Sequence, residues 1–156
     1  MNLKALTLLP SLLIVGCGSD ESLIINETEA TGFSYTLASK PAVSISVKQD
    51  ENNFCEITMF RSNVRAGYCA TLSQKATGEL SSSCYWDGDY FIQSSKHPTI
   101  ASLSISEVND STQIATFNIN LKLVNNKSFD DYFELKDAQF TLSGQQYVNL
   151  VTMPKS

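Results

Sequence analysis

Residue types able to do chemistry are few in this chain and widely spaced. There is one histidine, His97, inside SKHPT, and the close pairs of aspartates are Asp87 with Asp89, in WDGDY, and Asp130 with Asp131. A histidine acting as general base for a serine nucleophile needs that nucleophile beside it, and no GxSxG or comparable signature accompanies His97, which precedes a proline in a segment of loop composition. No HExxH, CxxC or histidine pair offers the ligand spacing of zinc. WDGDY alternates acid and glycine as calcium loops do, yet it lacks the further oxygen ligands and the terminal glutamate, and its composition equally fits a turn between two strands. Hydrolysis of a glycoside needs two carboxylates at a fixed separation, which nothing here sets. The expectation is therefore a protein without a catalytic constellation, a metal site or a cofactor.

Aromatic density stands out in one place, CYWDGDYF, Cys84 to Phe91. Rings flanked by carboxylates suit stacking on sugars or anchoring a protein partner, so Tyr85, Trp86, Asp87, Asp89 and Tyr90 form the candidate binding patch. The competing reading is that alternate members of this set fill the core.

Three cysteines stand in the body of the chain, Cys55, Cys69 and Cys84. An oxidising compartment would pair two of them and leave one thiol. A link between Cys69 and Cys84 would staple the polar excursion SQKATGELSSS, and is the favoured pairing. A hairpin centred near Ser62 would instead set Cys55 opposite Cys69.

A fourth cysteine, Cys17, carries a sharper signal. Met1 to Lys4 form a short n-region with one positive charge, and an apolar run follows from Ala5 to Val15. That run is about half the 20 residues a spanning helix needs, and it stops at Gly16 and Cys17 before the polar GSDES. This is signal-peptide architecture. Ile14, Val15, Gly16 and Cys17 resemble the lipobox of bacterial lipoproteins. The resemblance implies cleavage before Cys17, a diacylglycerol thioether on its sulfur and usually an acyl chain such as palmitate on the new amino terminus. Two or three chains, at about 0.8 kcal/mol per buried methylene, would hold the protein on a bilayer. Residue 18 is Gly rather than the Asp that often retains such proteins in the inner membrane, which implies the outer membrane, on its periplasmic or its surface side.

Loss of residues 1–16 would leave 140 residues, enough for one domain with a real core. Without Lys4 the chain keeps 10 basic and 16 acidic residues, a net charge of −6. Such a balance speaks against nucleic acid, which needs clustered cations. Residues 17–31, mostly polar and acidic around Leu23 to Ile25, read as a tether, with that apolar island a possible edge strand.

From residue 32 to 156 the dominant signal is alternation with period two. Val43, Ile45 and Val47 alternate with serines and Lys48, and Cys55, Ile57 and Met59 share a face opposite Phe54, Glu56 and Thr58. Ala115, Phe117, Ile119, Leu121 and Leu123 form the clearest half-buried strand, and Leu103 and Ile105 precede it across the turn-like EVNDSTQ, as in an antiparallel hairpin. YFELKD, AQFTLSG and YVNLVT read as further strands, and RSNVRAGYCATLSQKA as a segment that could hold a short helix. The fold expected is an all-β antiparallel sandwich or small barrel of about seven to nine strands. The function expected is a non-catalytic interaction or assembly-accessory module of the envelope, touching the bilayer through its acyl chains and an envelope protein through its domain. The alternatives are a glycan binder or hydrolase inhibitor and, behind them, a hydrolase.

Overall fold

The computed structural model describes residues 23–31, 35–73 and 79–153; Cys17 and the apolar run before it lie outside the described residues. Among the described residues ten strands form, β1 Glu27–Ala30, β2 Tyr35–Leu37, β3 Lys40–Asp50, β4 Asn53–Phe60, β5 Cys69–Ser73, β6 Leu80–Trp86, β7 Asp89–Ile92, β8 Ile100–Asn109, β9 Ile114–Asn125 and β10 Tyr132–Ser143, followed by helix α1, Gly144–Val151. They join one antiparallel sheet in the order β1-β3-β4-β6-β7-β9-β8-β5, with β10 on the other side of β9 and β2 on β3. The sheet curls into an incomplete barrel, so the fold is all-β as the alternation implies.

The alternating apolar residues supply the interior. Val43, Ile45, Val47, Ile57, Met59, Leu103, Ile105, Ile119 and Leu123 are each at most 1 % exposed, and full burial of such side chains stabilises by about 1.5–3 kcal/mol apiece. Phe117 and Phe140, register partners on β9 and β10, stack with ring centroids 5.0 Å apart. YFELKD and AQFTLS prove to be one strand carrying a bulge between Leu135 and Ala138. The extra residue reverses the side-chain parity, and this is why Leu135, Phe140 and Leu142 can all face inward although they are not in step. Asp137 takes a left-handed φ of 48° there, and its N–H donates to Asn120 Oδ1 at 2.8 Å.

Two segments depart from expectation. YVNLVT is helical rather than extended: Tyr147 and Leu150, three residues apart, are its buried pair, and α1 packs on β1 and β10. The stretch starting at Arg61 holds only a 3-10 turn, Arg61–Asn63, before reaching β5. Arg61 itself is buried, and its guanidinium donates to the carbonyls of Asn149 (2.6 Å), Leu150 (2.8 Å) and Thr31 (2.9 Å). Two carbonyls of the last turn of α1 are thereby tied to the segment leaving β1, where the helix end needs donors.

The tether boundary also moves. Leu23 is buried, and β1 lies inside the region read as tether, pairing Glu27 with Lys48 and Ala30 with Ile45. The residues that look solvated, Glu27 and Glu29, sit on the outer face, where Lys48 Nζ lies 4.0 and 3.2 Å from them.

The favoured disulfide is corrected outright. Cys55 and Cys84 are bonded, with Cα atoms 4.0 Å apart, and Cys69 is a free, exposed thiol. No hairpin forms around Ser62. After the 3-10 turn the chain crosses to the far end of the sheet, where β5 pairs with β8, leaving β6 to pair with β4. In that register Cys55 and Cys84 are directly opposite on the buried face.

Candidate functional site

The segment singled out by its aromatics is the β6–β7 hairpin. Trp86 and Asp89 close it around Asp87 and Gly88, whose φ angles of 48° and 87° are those of a type I′ turn. Such a turn requires positive φ at both central positions and so selects Asp-Gly. Asp87 is fixed further by its N–H, which donates to Asn53 Oδ1 at 3.0 Å, and Asp89 lies 3.7 Å from Lys127 Nζ. Among the described residues, no group of three or more His, Cys, Asp and Glu is placed to hold a metal ion.

Period-two geometry divides the patch in two. Trp86 turns toward the interior side, with its ring centroid 5.3 Å from that of Phe133, which in turn lies 5.8 Å from Phe91. Tyr85 and Tyr90 are cross-strand partners on the outer face. Phe54 on β4 pairs with Tyr85, ring centroids 5.8 Å apart, and Lys48 and Glu27 continue the same row on β3 and β1. The five positions proposed from sequence therefore do not share one face. Tyr85 and Tyr90 belong to the outer row, Trp86 to the core boundary, and Asp87 and Asp89 to the turn.

The outer row leads into a feature that sequence reasoning missed. An open groove of about 980 Å³ runs along β1, β3 and β4, lined by Glu27, Glu29, Asp50, Glu51 and Glu56 around Lys48, with the Phe54 ring at its side. The Asn53 side-chain amide and the Asn52 backbone N–H hold the Asp50 carboxyl below its ordinary range. Five carboxylates around one ammonium give the groove a negative field that favours cationic or hydrogen-bond-donating ligands. Its signal was present in the polar members of the alternating strands, Lys48 and Glu56. It could not be read as a site because register alone decides which polar residues become neighbours.

His97 stands elsewhere, in the β7–β8 connection, its ring stacked on that of Phe129 with centroids 5.1 Å apart. Phe129 is exposed in the β9–β10 loop at a φ of 59°. Asn125 builds that loop: its Oδ1 accepts from the N–H groups of Lys127 and Ser128, while its own N–H donates to Asp131 O. Asn126 N–H donates to Tyr90 O, so this loop adjoins the aromatic hairpin. Asp130 and Asp131 are exposed there.

Comparison with protein-family models, with curated proteins and with solved structures finds no match for this chain.

Proposed function

We propose that this chain is a lipid-anchored, non-catalytic interaction module of a bacterial envelope, held by Cys17 on the outer membrane and engaging an envelope protein through its outer sheet face. The observation that supports the reading is the groove: a pre-formed concavity whose carboxylates converge from three strands beside the Phe54–Tyr85–Tyr90 row. Concave, partly aromatic surfaces with converging polar groups are where proteins bind ligands. Its charge favours a basic segment as partner.

In-cell crosslinking followed by affinity capture and mass spectrometry tests this, using the full chain, a Cys17→Ser control and a Glu29→Lys/Glu56→Lys variant. A partner captured reproducibly, and lost in both controls, supports the module. Capture unchanged by reversing the groove charge would remove this assignment. A second reading, glycan capture, is favoured specifically by the exposed Tyr90 beside Tyr85, since sugar rings stack on such faces. Tyr85→Ala/Tyr90→Ala abolishing retention on envelope glycan, with the protein capture intact, would select it.

A further inference from the structure

The sheet has two unlike ends. The chain enters at the end formed by the start of β1, the β3–β4 turn, the β6–β7 turn and the β9–β10 loop, joined by the row Glu27, Lys48, Phe54, Tyr85 and Tyr90. The β8–β9 turn, the Arg61–Asn63 turn and helix α1 lie at the other. We infer that the entry end is a lipid-facing surface, with Phe129, Tyr90 and Ile24 at the interface of the bilayer and the α1 end directed away from it. This rests on the proposed attachment at Cys17.

Chain length carries the argument. Six Cα steps separate Cys17 from Leu23, which is already buried in the fold. At about 3.5 Å per step they span at most about 21 Å. Strand β9, Ile114–Asn125, runs from the far end to the entry end over 12 residues, or roughly 36 Å at about 3.3 Å per residue. A tether that short keeps Leu23, and with it the entry end, within about 21 Å of the lipid, and so favours the orientation in which that end faces the bilayer.

The surface chemistry selects end-on over side-on contact. Of the large hydrophobic residues exposed among the described residues, Ile24, Tyr90, Phe129 and Ile100 lie toward the entry end, whereas Tyr35 lies toward the other. The side of the sheet beside the tether is the acidic groove, which gains nothing from lipid. Amphipathic rings such as Tyr90 and the stacked Phe129–His97 pair suit the headgroup layer. The turns between them carry Asp50, Glu51, Asp87, Asp130 and Asp131, all exposed, so the matching surface is zwitterionic rather than anionic lipid.

The test uses the full lipidated chain with Cys69→Ser, bearing a fluorophore at Ser128→Cys on the entry end or at Thr112→Cys on the β8–β9 turn. Each is placed on phosphatidylcholine vesicles containing a headgroup-attached quencher. Flotation with the vesicles, lost in Cys17→Ser, reports the attachment independently of orientation. The expected result is quenching at position 128 several-fold stronger than at 112, and a Phe129→Ser/Tyr90→Ser background that narrows this difference at least twofold. Protein that floats but is quenched equally at both positions overturns the orientation while leaving the anchor standing. An undiminished difference in the double variant overturns the aromatic contact, and protein that never floats overturns anchor and orientation together.

Discussion

Replacing Trp86 by alanine separates packing from recognition in the aromatic hairpin. Trp86 is half-buried, its ring 5.3 Å from Phe133, which continues to Phe91. Truncating a fully buried Phe or Trp to Ala costs about 3–5 kcal/mol. Half of that burial, plus about 0.5–1.5 kcal/mol for the lost ring pair, gives an expected destabilisation of about 2–4 kcal/mol. Tyr90, exposed on the opposite face of the same hairpin, loses little on truncation, within about 0.5 kcal/mol. Urea unfolding followed by far-UV circular dichroism, chosen because the variant lacks the sole tryptophan, measures both. For a urea slope of about 1.5 kcal/mol/M, Trp86→Ala lowers the midpoint by roughly 1.3–2.7 M, and Tyr90→Ala leaves it nearly unchanged. Equal midpoints for Trp86→Ala and the parent, or equal losses for the two variants, would refute the division of the hairpin into a packed and a free face.

Three further outcomes are expected. Arg61→Met removes the donor shared by the Asn149, Leu150 and Thr31 carbonyls. At about 1.5–3 kcal/mol for a charged hydrogen bond, and allowing for non-additivity, it costs roughly 3–5 kcal/mol and exposes the α1 amides to hydrogen exchange first; unchanged α1 protection would contradict this. Non-reducing peptide mapping recovers a Cys55–Cys84 peptide, and Cys55→Ala/Cys84→Ala loses on the order of 3.5 kcal/mol for a loop of 29 residues in the chain-entropy model. Burial, and then the hydrogen bond to Asp110, push the Tyr147 hydroxyl up to about 12. Its folded pKa thus exceeds the unfolded value near 10, so the stability it contributes is complete below pH 10 and is lost as pH rises from 10 to about 12. Tyr147→Phe flattens that alkaline decline, as pH-dependent urea midpoints would show.

Much of the fold was legible because a half-buried strand writes its environment into every second residue. Val43 to Val47, Cys55 to Met59 and Ala115 to Leu123 each alternate, and each lies with its apolar members inward. Asp87-Gly88 likewise announced its turn, since few residue pairs tolerate two positive φ values. YVNLVT misled because four apolar residues in six fit either period over so short a span, and packing on β1 and β10 decided for the helix.

Pairing between distant strands left no such trace. The disulfide follows from β4 lying beside β6 rather than folding back on the segment of Cys69, a choice made by topology and not by any residue near a cysteine. The groove arises the same way, since Glu27, Glu29, Asp50 and Glu56 become neighbours only through the registers of β1, β3 and β4. The sequence by itself determined the strands, the turn chemistry and the lipobox resemblance at Cys17, all of which depend on residues within a few positions of one another. Tertiary structure alone decided which cysteines meet, which carboxylates share a groove and which end of the sheet the chain enters. Those depend on contacts across tens of residues, which local periodicity does not encode.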